Sequence, residues 1–106
     1  MARIVALAPD LMLASRIETG LRAAGHDVAL SPSVSEAPLD SAELLVADLD
    51  SEPAEALVGL GIPVIGYYSH VNVDTRAAAE AAGVDLVVPR SRMVRELPRL
   101  VDSLLG

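Results

Sequence analysis

Several residue types are missing from this chain. It contains no Cys, no Trp and no Phe, and it has only two Tyr. Without Cys, the chain cannot form disulfides, thiolate nucleophiles or zinc–thiolate sites. Because hydrophobic residues still make up 52% of the sequence, a core can form, but Val, Leu, Ile and Ala must build it. That composition favours a folded domain over a disordered chain.

Positive charge is scarce and comes from one residue type. Lys is absent, and eight Arg face 15 acidic residues, which gives a net charge of −7. This balance argues against nucleic-acid binding, which needs a basic surface, and against binding to an anionic membrane. No apolar run approaches the length of a membrane span, and the sequence starts with a strand pattern rather than a signal peptide. We therefore expect a cytoplasmic protein without a nucleic-acid or membrane partner.

Short apolar runs alternate with helical patterns along the chain. They are typical of strands that are buried on both faces of a parallel sheet. Five such strands are predicted, at 4–7, 28–30, 44–47, 63–68 and 84–88. Strict alternation predicts an α/β protein, a three-layer sandwich with a five-stranded parallel sheet. The length of 106 residues suits a single domain over 1–106.

The first and last helices have the clearest amphipathic patterns. Asp10 is a good N-cap for the first helix, and Gly25 is a good residue to follow its end. Because a Pro inside a helix costs about 3 kcal/mol, we predict a loose turn over 91–95 and place Pro98 near the first turn of the last helix. The predicted buried faces are Leu13, Ile17, Leu21 and Ala24 in the first helix, and Leu97, Leu100, Val101 and Leu104 in the last.

Two connecting segments have weak helical patterns. Residues 31–42 hold two Pro and four Ser, so the crossover helix between strands 2 and 3 is predicted to be shortened or missing. Either a partner such as a second copy covers the sheet face left open there, or residues 34–39 fold over it. After strand 3, Asp50 or Ser51 is predicted to cap a short helix with Pro53 in its first turn.

The third predicted strand ends in two carboxylates, Asp48 and Asp50. In open parallel sheets, ligands bind at the carboxyl ends of the strands, near the point where the strand order reverses. Asp10 follows the first strand, and Ser69 and His70 follow the fourth, so all five residues are expected near the same edge. Simpler roles remain open: the aspartates can cap helices, and a single loop His is usually solvated.

This order of elements resembles that of bacterial response-regulator receiver domains, the CheY-like fold. The resemblance rests on the strand and helix at 4–25, on the run Leu44-Leu45-Val46-Ala47-Asp48-Leu49, and on the stretches 61–65 and 81–90. It implies the strand order 2-1-3-4-5. It also implies that Asp48 is the phosphoacceptor and that the chain is a signalling module rather than an enzyme.

Other positions depart from the receiver pattern. They are Ala8 and Pro9 in place of the acidic pair, Tyr68 in place of the Ser or Thr, Val87 at the aromatic switch position, and Arg90 in place of the Lys. Phosphoryl transfer to a carboxylate normally needs Mg²⁺, which binds carboxylate oxygens and water. Only Asp10 and Asp48, with Asp50 nearby, remain as possible ligands, so no metal is expected. Arg90 keeps the positive charge as a planar fork rather than a compact ammonium.

Half of the positive charge lies within residues 90–99. It could form a solvated face. We favour a site for an anion or an acidic partner, because Arg is common at interfaces and binds carboxylates with two hydrogen bonds. The predicted partner surface comprises Arg76, Arg90, Arg92, Arg95 and Arg99.

The leading interpretation is a degenerate receiver, or pseudo-receiver, in two-component signalling. It would bind a protein partner or a second copy, without a cofactor and without standard Mg²⁺-dependent phosphorylation. The alternative is an active receiver that is phosphorylated on Asp48 with Mg²⁺. A small-molecule-binding α/β domain is weaker, because the sequence has no glycine-rich phosphate loop and no Gly-x-Ser-x-Gly motif.

Overall fold

The computed structural model describes residues 2–69 and 73–105. Five parallel strands form one sheet in the order β2-β1-β3-β4-β5. The strands are β1 Arg3–Leu7, β2 Asp27–Ser31, β3 Leu44–Asp48, β4 Val64–Tyr68 and β5 Leu86–Pro89, and the α-helices are α1 Leu11–Ala23, α2 Ala54–Leu57, α3 Val73–Ala82 and α4 Arg90–Leu105. Helices cover both faces of the sheet, so the predicted fold class and strand order are confirmed.

Two apolar clusters lie on opposite faces of the sheet. Ile4 and Val46 face the cluster that includes α1 and α4. Val5 and Leu45 face the cluster that includes α2 and α3. Successive strand residues point to opposite faces, so β1, β3 and β4 are buried on both sides, as their apolar runs predicted.

Helix α1 begins as predicted. The Asp10 carboxylate accepts hydrogen bonds from the N–H groups of Met12 at 3.0 Å and Leu13 at 3.2 Å. The predicted face is buried at Leu13, Ile17 and Leu21, together with Ala14. The prediction for Ala24 was wrong: this residue is exposed at the C-cap, because the chain leaves the helix there and turns through Gly25 at a φ of 91°.

The crossover between β2 and β3 contains two short 3₁₀ turns, Val34–Glu36 and Leu39–Ser41, in place of an α-helix. The predicted shortening is therefore confirmed. Val34, Ala37 and Leu39 are partly buried against the apolar cluster beneath them. The segment itself covers this part of the sheet face, which is the second of the two alternatives.

Helix α2 is a single turn, and the predicted caps were wrong. Pro53 occupies its N-cap position without a side-chain hydrogen bond. The N–H of Ser51 instead donates to the Asp48 carbonyl at 3.2 Å, which closes a turn directly after β3. Asp50 lies in this turn, so neither predicted residue reaches the start of the helix.

Strand β5 begins two residues later than predicted. The Val84 N–H donates to the Ala79 carbonyl at 3.1 Å, which closes the end of α3. The Asp85 carboxylate accepts a hydrogen bond from the Val64 N–H at 2.8 Å, beside the start of β4. The apolar Val84 is buried, but it belongs to the helix closure rather than to the strand.

Helix α4 runs without a break for 16 residues from Arg90, with Pro98 in its interior. The predicted loose turn over 91–95 and the placement of Pro98 were therefore wrong. The cost of an interior Pro, about 3 kcal/mol, is outweighed because burying each large apolar side chain contributes about 1.5–3 kcal/mol. The buried side chains of α4 are Met93, Leu97, Leu100 and Val101. Leu104, predicted to be buried, is partly buried against the same cluster.

None of the helices in the described part of the chain has the length and apolar character needed to cross a lipid bilayer.

Candidate functional site

The candidate site lies at the edge of the sheet where β1, β3 and β4 end. Asp48 is the last residue of β3 and pairs with Tyr67 of β4. Asp10 precedes α1, and Arg90 begins α4. Parallel strands bring their carboxyl ends to one edge, so residues far apart in the sequence meet here.

Asp48 is half-buried and held by the turn that follows it. Its Oδ1 accepts a hydrogen bond from the Asp50 N–H at 2.8 Å, and its Oδ2 lies 3.5 Å from the Ser51 hydroxyl. Burial raises the pKa of Asp48 above the usual value, and the negative charge of Asp50 adds to this effect. The hydrogen bond from the Asp50 N–H and the positive charge of Arg90 oppose it.

Asp50 joins the loop after β3 to the end of β4. Its Oδ2 accepts a hydrogen bond from the Ser69 N–H at 3.0 Å and another from the Ser69 hydroxyl. Ser69, which follows the position of the family's Ser or Thr, is therefore bound to Asp50. The two edge aspartates thus have different partners, although only Leu49 separates them in the sequence.

Asp10 is held by α1 and by Arg90. Oδ1 receives the two N-capping hydrogen bonds, and Oδ2 lies 3.3 Å from the Arg90 Nη2. The hydrogen bond from the Leu13 N–H is the main cause that lowers the pKa of Asp10, and the Met12 N–H and Arg90 lower it further. The carboxylate is therefore ionised and oriented by protein donors.

The edge does not match a receiver-type Mg²⁺ site. Mg²⁺ requires several oxygen ligands in near-octahedral geometry, whereas Ala8 and Pro9 offer no side-chain oxygen. Within residues 2–69 and 73–105, no group of three His, Cys, Asp or Glu side chains could hold a metal ion. Asp10, Asp48 and Asp50 therefore do not form the carboxylate cluster that the sequence left open.

Both tyrosines at the end of β4 are buried. Tyr68, at the position of the family's Ser or Thr, is 8% exposed, and Tyr67 is 1% exposed. The Tyr67 hydroxyl has no hydrogen-bond partner in the described part of the chain. Burial raises the pKa of Tyr67 above its usual value, and the charge of Asp48 adds to the rise. The phenol therefore stays protonated, with its O–H available as a donor near the edge.

From the sequence, Tyr67 is better explained as a packing residue than as a recognition residue, although a Tyr hydroxyl at a strand end needs a polar partner. A feature that the sequence pattern did not predict is the exposed apolar pair Leu11 and Met12, with exposures of 84% and 80%. These two residues fall off the buried 13–17–21 face, which the helical pattern could have shown.

The arginines of the predicted partner surface reach solvent, and they also form ion pairs with acidic residues. Arg92, Arg95 and Arg99 lie 3.3, 3.7 and 3.4 Å from the carboxylate of one residue, Glu96. Arg76 lies on α3 and pairs with Glu80 at 3.3 Å. His70, which was predicted near the edge, lies outside the described residues.

Replacing Asp48 with Asn should make the protein more stable at pH 7. Because the folded-state pKa of Asp48 is raised, the stability linked to this group is complete below the unfolded pKa of about 3.9 and declines as the pH rises through the folded value. Asn carries no charge to bury, so we expect a small gain at pH 7, limited by solvent screening, and almost none at pH 3. Thermal unfolding followed by circular dichroism at both pH values measures this. A variant less stable than wild type at pH 7 would contradict it.

No family model and no curated protein matches the sequence. Solved structures do match the fold. An orphan response regulator of H. pylori superposes with a TM-score of 0.82 at 15% identity, over 99% of this chain and 97% of that chain. A receiver domain from Clostridium thermocellum gives 0.84 at 15% identity, over 99% and 94%. A receiver protein from Burkholderia phymatum gives 0.81 at 21% identity, over 100% and 96%. The chain therefore has the CheY-like receiver fold.

Proposed function

We propose that this chain, which has the receiver fold, is a two-component signalling module that acts through protein contacts and without Mg²⁺-dependent phosphorylation. The observation that carries the proposal is the loss of metal ligands at the edge. Ala8 and Pro9 stand where carboxylates would hold Mg²⁺, and Asp10 is oriented by its cap and by Arg90. A phosphoryl group on Asp48 would bring further negative charge next to Asp50. Arg90 is the cation whose charge acts on Asp48.

The residues that would respond to a phosphoryl group are also changed. Tyr68 is buried and too large to copy the small hydroxyl of the family. Ser69 supplies a hydroxyl, but Asp50 accepts its hydrogen bond. Val87 stands at the aromatic switch position and is packed against the apolar cluster on that face. These contacts favour a constant structure over one that changes with phosphorylation.

The proposed contact surface is the exposed face of α4 with the neighbouring Arg76. Three Arg of α4 share the single carboxylate of Glu96, so this helix face keeps a net positive charge in a chain of net charge −7. An acidic protein surface fits it, and a second copy of this chain is one source of such a surface. Sedimentation of the protein with Arg92 and Arg95 both changed to Glu tests this surface, and unchanged self-association would contradict the second copy as the partner.

The experiment for the proposed function is an amide NMR titration with Mg²⁺ and beryllofluoride, which imitates a phosphoryl group on a carboxylate. We expect no saturable shifts in the wild-type protein, because the edge lacks the carboxylates that a Mg²⁺ ion needs. Pro9→Asp returns one carboxylate to this edge and should produce Mg²⁺-dependent shifts.

Asp48→Asn provides the control. Saturable shifts around Asp48 in the wild type that disappear in Asp48→Asn would contradict the proposal. They would establish the alternative, an active receiver phosphorylated on Asp48.

A further inference from the structure

We propose that the cleft between α1 and α4 binds a small organic phosphate, a role that goes beyond the proposed signalling function. The cleft has a volume of about 540 Å³, within the range of about 300–1,000 Å³ that is typical of small-ligand pockets. Its lining includes three arginines, Arg16 from α1 and Arg90 and Arg95 from α4. Asp48 does not line this cleft, whereas Ser69 and Arg90 do, and these two residues contact Asp50 and Asp10 at the edge.

The three arginines are incompletely neutralised. Arg16 has no ion-pair partner among residues 2–69 and 73–105. Arg90 pairs with one acid, Asp10, and its side chain remains 42% exposed. Arg95 is 3.7 Å from Glu96, a longer separation than those of the two other arginines that share this carboxylate. The cleft therefore concentrates positive charge in an acidic protein, and Arg binds phosphate with two parallel hydrogen bonds.

Neutral donors complete the polar part of the cleft. Tyr68, Ser69 and Ser91 contribute to its lining. Ser69 already donates its N–H and its hydroxyl to Asp50, so Tyr68 and Ser91 supply the hydroxyl donors for a ligand. Ser91 lies in the first turn of α4, a 16-residue helix whose first N–H groups have no partner within the helix. Helix N-termini favour anions. A phosphate has enough acceptor oxygens to use guanidinium, hydroxyl and N–H donors together.

The apolar part of the lining points to an ester rather than free phosphate. Pro89, at the end of β5, and Val94, on α4, lie on the wall of the same cleft. Inorganic phosphate would leave these side chains in contact with water. A ring or sugar attached to the phosphate would cover them. The ligand class is therefore a phosphate monoester about the size of a mononucleotide.

Isothermal titration calorimetry with AMP, without Mg²⁺ or beryllofluoride, tests this site. We expect saturable 1:1 binding to the wild-type protein and none by adenosine, which lacks the phosphate. Arg16→Gln should weaken binding by about tenfold or more, since a hydrogen bond to a charged group contributes about 1.5–3 kcal/mol. Arg16→Lys should recover part of the affinity. Arg22→Gln is the matched control, because Arg22 is on the same helix as Arg16, pairs with Glu18 and does not line the cleft.

Three results would overturn the proposal. One is the absence of saturable AMP binding at millimolar concentration. Another is equal weakening by Arg16→Gln and Arg22→Gln. The third is inorganic phosphate binding as tightly as AMP, which would mean an adventitious ion only. Amide spectra of both variants establish that each is folded, so a loss of binding reports on the cleft.

Discussion

Replacing Gly66 with Val should lower the free energy of unfolding by about 1–2 kcal/mol, within the range for overpacking a core. Gly66 is buried in the middle of β4, between Ala47 of β3 and Val87 of β5. A Cβ at this position would lie 2.9 Å from Cγ, Cδ1 and Cδ2 of Leu49. Because Leu49 stands between Asp48 and Asp50, the clash should also disturb the candidate site. Urea unfolding followed by circular dichroism gives the stability, and amide spectra give the change at the edge.

Two variants separate this close contact from a general effect of replacing Gly. Gly20→Ala is the matched control, because a Cβ on Gly20 of α1 meets nothing within 4 Å. It should raise stability by about 0.5–1 kcal/mol, the usual difference between Ala and Gly in a helix. Leu49→Ala combined with Gly66→Val should recover part of the loss. A Gly66→Val protein as stable as wild type would contradict the predicted clash.

Replacing Pro98 with Ala should raise the free energy of unfolding by about 1–2 kcal/mol. An interior Pro costs a helix about 3 kcal/mol, because it has no N–H and its ring clashes with the preceding turn. In α4 the carbonyl of Val94, four residues earlier, gains a donor when Ala replaces Pro98. Part of the gain is offset, because Pro restricts the unfolded chain by about 0.4–1 kcal/mol and its partly buried ring packs beside α1. Thermal unfolding should show a rise of roughly 5–10 °C.

Pro53→Ala is the control for Pro98→Ala. Pro53 is exposed at the N-cap of α2, outside any helix interior, so its replacement restores no helical hydrogen bond. We expect this variant to be equal to wild type or slightly less stable. If Pro98→Ala were no more stable than Pro53→Ala, the cost assigned to the interior Pro would be wrong.

Features that depend on a local sequence pattern could be predicted from the sequence. The apolar runs located all five strands. Asp10 could be predicted as an N-cap because the cap involves only residues within three positions of it. The segment 31–42 was recognised as too rich in Pro and Ser for a long helix. The receiver resemblance supplied the strand order, which periodicity alone does not contain.

The errors at Pro98 and Val84 have different causes. Pro98 is tolerated inside α4 because the flanking turns bury Met93 and Leu97 against the sheet and α1. Val84 is apolar and buried, yet its N–H closes α3 instead of extending β5. Burial decided the structure against local propensity at Pro98, whereas the hydrogen bond that closes α3 decided it at Val84.

The sequence could predict which residues lie at the candidate site, but not which of them form hydrogen bonds with one another. Strand ends placed Asp10, Asp48, Asp50, Ser69 and Arg90 near one edge. The hydrogen bonds that decide their chemistry join distant residues: Asp10 and Arg90 are 80 positions apart, and Asp50 and Ser69 are 19 apart. Such pairs depend on loop geometry that periodicity does not encode, and they are the contacts that argue against a metal site.

The packing of α1 and α4 on one sheet face also affects how the chain folds as it is synthesised. The first helix ends at Ala23 and the last begins at Arg90, yet both belong to one apolar cluster. A nascent chain that lacks α4 would therefore expose the apolar side of β1, β3 and α1 to solvent until the last helix leaves the ribosome. Contacts that join distant parts of a chain form slowly, and surfaces exposed in the meantime favour aggregation. Completion of this face thus depends on the final helix.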